Sequence, residues 1–212
     1  TENWTYTWEN LDVKKNGKAI SYKVVETGTV TGYTSTEGTA ENNYTITNSH
    51  TPEKTSVSGT KTWNDSNDQD GIRPDKITVN LLADNVKVDS TEATKAGGWT
   101  YSFTDLDKYK NGNLIHYTVE EEGVPEDYTS AVNGTDITNS YTPGKTNIKV
   151  KKVWNDNEDQ DGKRPTSIKV QLYADGTAYG EEVTLTGTEN WTYTWENLDV
   201  KKNGKAISYK VV

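Results

Sequence analysis

KTWNDSNDQDGIRPDKITVNLLAD (61–84) returns in diverged form as KVWNDNEDQDGKRPTSIKVQLYAD (152–175), 91 residues further along the chain. In each copy an acidic, glycine-containing loop leads into a run whose apolar residues alternate with polar ones, the period of a half-buried strand. Outward from this pair the match continues. GWTYSFTDLDKYKNG (98–112) corresponds to NWTYTWENLDVKKNG (190–204) at an offset of 92, so one residue has been gained between the two blocks. IHYTVEEEGVPEDY…DITNSYTP (115–143) corresponds to ISYKVVETGTVTGY…TITNSHTP (20–52), the latter with a longer loop. Finally, TENWTYTWENLDVKKNGKAISYKVV (1–25) recurs unchanged at 188–212, which sets a period of 187 residues. A period of this kind is the mark of a tandem array.

The order of the blocks divides the chain. Residues 1–50 read as the back half of one domain type, type two. Residues 53–142 read as a complete domain of type one, and 146–212 as the front part of the next type-two domain. The junctions SHTPEKT and YTPGKT carry Thr-Pro, which favours short extended connections over hinges. Strand and turn signals alternate about every 8–12 residues, the spacing of a β-sandwich. KITVNLLAD, GGWTYSFTDL, IHYTVEEE and YTSAVNGTDITNSY read as strands, with Asn-Gly and Asp-Gly as turns. Helical periodicity is absent, apart from room for one turn near DLDKYKNG. The expected class is all-β, with 53–142 a seven-stranded sandwich able to fold alone.

Composition agrees. Only 31% of the residues are hydrophobic, with one Phe and no Met, yet there are 7 Trp and 13 Tyr. Such a chain suits thin sandwiches with small cores. A net charge of −9 with no basic face excludes nucleic acid as a partner. No stretch is apolar for long enough to span a bilayer, so no membrane contact is expected within this segment. The chain begins at Thr1 and shows neither signal peptide nor anchor motif, so it is expected to be a piece of a longer protein. With no Cys, the domains cannot be held by disulfides, the usual staple of small secreted domains.

The alternation also places chemistry. Residues i and i+2 of a strand share a face. Val57, Gly59, Lys61 and Trp63 therefore align, as do Ile148, Val150, Lys152 and Trp154. Tyr117, Val119 and Glu121 align, and so do Tyr22, Val24 and Glu26. Ile137, Asn139 and Tyr141 form a third set, matched by Tyr44, Ile46 and Asn48. Each domain type aims one Lys, one Glu and one Asn at its core, where unpaired burial would cost on the order of several kcal/mol. One reading is a buried Lys–Glu ion pair with the Asn hydrogen-bonded beside it. The other is covalent. Burial lowers a Lys pKa and raises a Glu pKa; a neutral amine can then attack the Asn carboxamide while the acid polarises it.

At these residues the sequence resembles a known family. K-x-W-N-D…Q-D-G-x-R-P, the W-T-Y strand, Y-T-V-x-E and the closing I-T-N are together similar to the B-type (Cna B-like) repeats of the staphylococcal collagen adhesin and of related Gram-positive surface proteins and pilins. The likeness covers essentially the whole chain, including the alternation of two domain types. It implies a reverse immunoglobulin-like sandwich, a Lys–Asn isopeptide bond formed with the help of an acid, and a stalk at the cell-wall-attached surface of a Gram-positive bacterium. By position it assigns Lys61, Glu121 and Asn139 to type one. Lys152 becomes the type-two lysine, and Glu26 and Asn48 the acid and acceptor of the preceding copy. The pilin form of the acid motif is only partly kept: Pro125 and Tyr128 follow Glu121, while Thr31, Gly32 and Tyr33 follow Glu26. The partners implied are neighbouring repeats of the same array, a host matrix ligand being bound outside this chain. The severed type-two halves are expected not to complete each other within one chain; joining head to tail between chains is open to them instead.

Other signals lead elsewhere. WNDSNDQDG and WNDNEDQDG offer oxygen ligands, but the glycine falls one place late for an EF-hand and no bidentate Glu closes the loop, so a turn with Asx hydrogen bonds is expected and no metal or cofactor. His50 and His116 are the only histidines, and with no Cys they give no zinc or hydrolase arrangement. The chain is not read as an enzyme. A rival reading, a module contacting collagen or glycan along its length, needs an exposed aromatic or charged cluster repeated in every domain. Trp63, Trp99, Trp154 and Trp191 recur at matched positions instead, as core residues do.

Overall fold

The computed structural model describes residues 3–212. These fall into two compact units, one ending at Glu53 and one running from Lys54 to Val212.

In the second unit the first seven long strands are β1 (Lys54–Asn64), β2 (Lys76–Ala83), β3 (Val86–Thr94), β4 (Thr100–Asp107), β5 (Tyr117–Glu122), β6 (Thr129–Asn133) and β7 (Asp136–Ser140). They build two sheets, one ordered β4-β1-β7-β6 and the other β5-β2-β3. The alternation in KTSVSGTKTWN is realised along β1: Val57, Gly59, Lys61 and Trp63 turn inward while their neighbours are exposed. Ile77, Val79, Leu81, Ala93, Tyr101, Phe103, Val119 and Ile137 fill the space between the sheets. The closing strand runs parallel to the opening one, with Ile137 opposite Lys61 and Asn139 opposite Trp63. That pairing makes neighbours of residues from the two ends of the domain. Gly59 permits it: a Cβ there would lie 2.0 Å from the Thr135 carbonyl oxygen and 2.6 Å from the Tyr101 hydroxyl.

The helical turn allowed near DLDKYKNG is not formed. Tyr109–Lys110 pairs with Asn113–Leu114 in a tight hairpin. Asn111 and Gly112 at its tip have φ of 50° and 78°. Two consecutive left-handed residues match the twist of an antiparallel ribbon, and Asn-Gly supplies them cheaply. The same hairpin recurs at Lys201–Lys202 with Lys205–Ala206, and at Lys14–Lys15 with Lys18–Ala19.

Beyond the linker come β8 (Lys145–Lys151), β9 (Ser167–Ala174), β10 (Thr177–Thr186), β11 (Thr192–Asp199) and β12 (Tyr209–Val211). β8 pairs with β11, and β10-β9-β12 form a second sheet around Val170, Leu172, Leu185 and Leu198. Trp154 meets Trp191 edge to face at 5.1 Å, as Trp63 meets Trp99 at 5.1 Å. Within this unit no described strand takes beside β8 the place that β7 takes beside β1.

The unit ending at Glu53 contains only two-residue strands, among them Lys23–Val24 with Gly38–Thr39 and Thr34–Ser35 with Asn48–Ser49. Its described residues 3–25 repeat the sequence of 190–212 yet make no counterpart of β11. Leu11 is 50% exposed where Leu198 is 3%. β11 has β8 to pair with, and the matching stretch has no such strand among the described residues up to Glu53.

Candidate functional site

Lys61 from β1, Glu121 from β5 and Asn139 from β7 meet inside the complete sandwich. The lysine and glutamate side chains are 0% and 1% exposed, and Asn139 is 0% exposed. Lys61 Nζ donates to Glu121 Oε2 at 3.2 Å, and Asn139 Nδ2 donates to Glu121 Oε1 at 2.8 Å. One carboxyl thus bridges an amine and a carboxamide carried on adjacent strands. The Asn139 Oδ1 oxygen is buried without a hydrogen-bond partner. Burial pushes the Lys61 pKa down, against the pull of the Glu121 carboxylate beside it. Trp63 closes the site, its ring 4.5 Å from Lys61 Nζ and packed edge to face on Trp99 and Tyr128.

Ser130 was not singled out by the sequence. Its hydroxyl donates to Glu121 Oε2 at 2.8 Å, holding the carboxyl from a third side. The register that sets Ser130 opposite Asn139 places it there. Residues 129–133 are all exposed and show no inward period that would have marked the serine.

The acidic loop holds a second cluster. Asp65, 2% exposed, takes Arg73 in a two-pronged pair, Nε to Oδ2 at 2.9 Å and a terminal nitrogen to Oδ1 at 2.5 Å. Tyr128 Oη donates to Asp65 Oδ2 at 2.9 Å, and Asp68 N to Asp65 Oδ1 at 2.9 Å. Burial alone would raise this carboxyl. The hydrogen bonds from Arg73, Asp68 N and Tyr128, with the Arg73 charge, outweigh that and hold it at about 2. Arg164 grips Asp156 in the same way in the second copy. The loop has the expected Asx turn, but its leading carboxylate serves as a clasp to the arginine of R-P. The fixed spacing of Asp and Arg in both copies is the signal that could have revealed it.

The type-two residues lie in two places. In the unit ending at Glu53, Asn48 Nδ2 donates to Glu26 Oε1 at 3.2 Å, the acid–carboxamide contact of the complete domain again, here with Asn48 exposed. Lys152 follows the end of β8 and is exposed, with its ammonium 4.9 Å from the Trp154 ring.

Two small sandwich folds in tandem, each opening on K-x-W-N-D, define the class. The family model for the Cna protein B-type domain matches residues 1–49, 57–140 and 148–212. The chain is 50% identical over its whole length to a collagen adhesin of Staphylococcus aureus, of which it spans 18%. The crystal structure of two B repeat units of the Staphylococcus aureus collagen binding protein aligns with 99% of this chain and 56% of that one, at 48% identity and a TM-score of 0.61. The chain belongs to the Cna B-type domain family.

Proposed function

We propose that this chain is a stalk segment of a bacterial cell-surface adhesin, whose domains lock themselves with intramolecular isopeptide bonds. The observation that carries the reading is Glu121 bridging Lys61 and Asn139 in a dry core between the first and last strands. The neutral amine of Lys61 attacks the Asn139 side-chain carbonyl, and Glu121 relays the proton to the departing nitrogen. A C–N bond forms between Lys61 Nζ and Asn139 Cγ, and the Asn139 amide nitrogen leaves as ammonia. In the alternating domain type, Lys152 is the amine, Asn48 the acceptor and Glu26 the acid, in the domain that successive periods complete.

The bond suits a stalk mechanically. Tension entering at Lys54 and leaving at Ser140 would pass along β1 to Lys61 and cross directly to Asn139, leaving the rest of the sandwich unloaded. The cell-wall-attached surface of a Gram-positive organism fits the family's staphylococcal member, and neighbouring repeats are the partners. A matrix ligand such as collagen is bound by another part of the protein. Exposed rings such as Trp4 and Trp8 do not favour a ligand platform, because their copies Trp191 and Trp195 are half-buried in the second unit.

Intact mass tests the chemistry. The folded chain should weigh less than its sequence by one ammonia for the complete domain, and Glu121→Ala should restore that ammonia. A folded wild-type chain of full calculated mass would overturn the bond.

A further inference from the structure

Between the complete domain and β8 the structure seats a loop on a hairpin. Gln69 donates from Nε2 to Asp199 Oδ1 at 2.9 Å, and its carbonyl accepts from Gly204 N at 3.0 Å. Gly71 and Gly204 pass so closely that a Cβ on Gly71 would lie 2.6 Å from Gly204 Cα. Asp70 turns to the linker and accepts from Tyr141 Oη at 2.7 Å. Pro143 is buried, and Val200 N donates to the Gly144 carbonyl at 3.2 Å. The joint is therefore a fitted contact and not a tether.

Both halves of this contact exist a second time. Gln160-Asp161-Gly162 occupy the loop after β8 that Gln69-Asp70-Gly71 occupy after β1. That loop is folded alike. Gly162 N bonds Asp159 O at 2.8 Å, as Gly71 N bonds Asp68 O at 3.0 Å. Arg164 N bonds Asp159 Oδ1 at 2.8 Å, as Arg73 N bonds Asp68 Oδ1 at 3.0 Å. The receiving hairpin is duplicated too. Asn111 and Gly112 have φ of 50° and 78°, against 52° and 76° for Asn203 and Gly204. Tyr117 Oη bonds the Asp107 carbonyl at 2.9 Å, as Tyr209 Oη bonds that of Asp199 at 2.9 Å. Lys54 pairs with Asp107 as Lys145 pairs with Asp199. Gln160, Asp161 and Gly162 are exposed, and so are Asp107, Asn111 and Gly112.

We propose that loop 160–162 is a docking surface for the type-one domain of the following repeat, a second copy of 107–112. Gln160 Nε2 then donates to Asp107 Oδ1, Gly112 N to the Gln160 carbonyl, and Gly162 packs on Gly112. Every joint of the array becomes the same loop-on-hairpin contact, so the stalk is stiff at each junction. The linker differs between the two joints, with His50 at the place of Tyr141 and Glu53 at that of Gly144. The inference stands apart from the isopeptide bond, since none of its residues belongs to that site.

The natural absence of Cys allows a clean test in a chain of two periods, residues 1–187 followed by 1–212. Gln69→Cys with Asp199→Cys in one copy marks the observed joint. Gln160→Cys in the first period with Asp107→Cys in the second marks the proposed one. Gln160→Cys with Asp136→Cys of the second period is a decoy, since Asp136 binds Thr60, six residues along β1 from Lys54 and about 20 Å away at the strand rise. With a short bismaleimide, the first two pairs should give the mobility shift of an internal link to similar extents, and the decoy should give little. Linking of the marker pair without the proposed pair would overturn the inference, as would a decoy that links equally well.

Discussion

At the scale of single residues, two buried carboxyls divide the work. Glu121 bridges Lys61 and Asn139, the two groups proposed to react. Asp65 is placed to stay charged, its oxygens taken by Arg73, Tyr128 and the Asp68 amide. Its folded-state pKa of about 2 lies below the usual 3.8, so between those values the unfolded chain binds the proton more readily. The clasp therefore contributes fully above about pH 4 and is lost as pH falls toward 2. Stability measured by denaturant should fall by on the order of 2 kcal/mol across that window in the wild-type chain. Asp65→Asn should lack that fall, and at pH 7 should be less stable by about 2 kcal/mol, since it removes the same charge from opposite Arg73 that protonation removes. Parallel acid profiles for the two proteins would remove Asp65 from this role. Among these residues, the Lys–Glu–Asn set was legible from i, i+2 parity alone. Ser130 was not, since it reaches Glu121 from a strand without any inward period.

At the scale of elements, the parallel pairing of β1 with β7 depends on how closely the turn before β7 approaches β1. Gly59 marks that approach, so Gly59→Val should cost at least the roughly 1–3 kcal/mol of ordinary overpacking and lower the urea midpoint. Exposed Thr62→Val on the same strand should change the midpoint little, and equal effects of the two would contradict the assigned contact. β1, β4, β5 and β7 were readable because one face of each is buried, which writes a period of two into the sequence, whereas β6 is exposed along its length. At DLDKYKNG the room for one helical turn goes unused, because Asn111-Gly112 supplies the two left-handed residues of a tight hairpin, the turn that Asn-Gly signals. Residues 3–25 and 190–212 set a firmer limit. One sequence yields a long strand with a buried leucine in one place and short fragments with an exposed one in the other. Strand formation here depends on the partner strand supplied by distant residues, which the segment's own composition does not carry.

At the scale of the whole molecule, the proposed bonds and joints together would make a stiff array whose domains are closed covalently from first strand to last. The repeat period was plain in the sequence. The loop-on-hairpin joint was not, because its closest contacts are backbone approaches at Gly71 and Gly204, and no period in the sequence pairs Gln69 with Asp199. The claim that tension bypasses the sandwich is tested most directly by pulling the single chain from its two ends. Residues 62–138 hold about 25–28 nm of chain at 3.3–3.6 Å per residue. A closed Lys61–Asn139 bond predicts that this length never appears in the wild-type trace and is released in Glu121→Ala. A wild-type chain that pays out the full length of the domain would contradict the account.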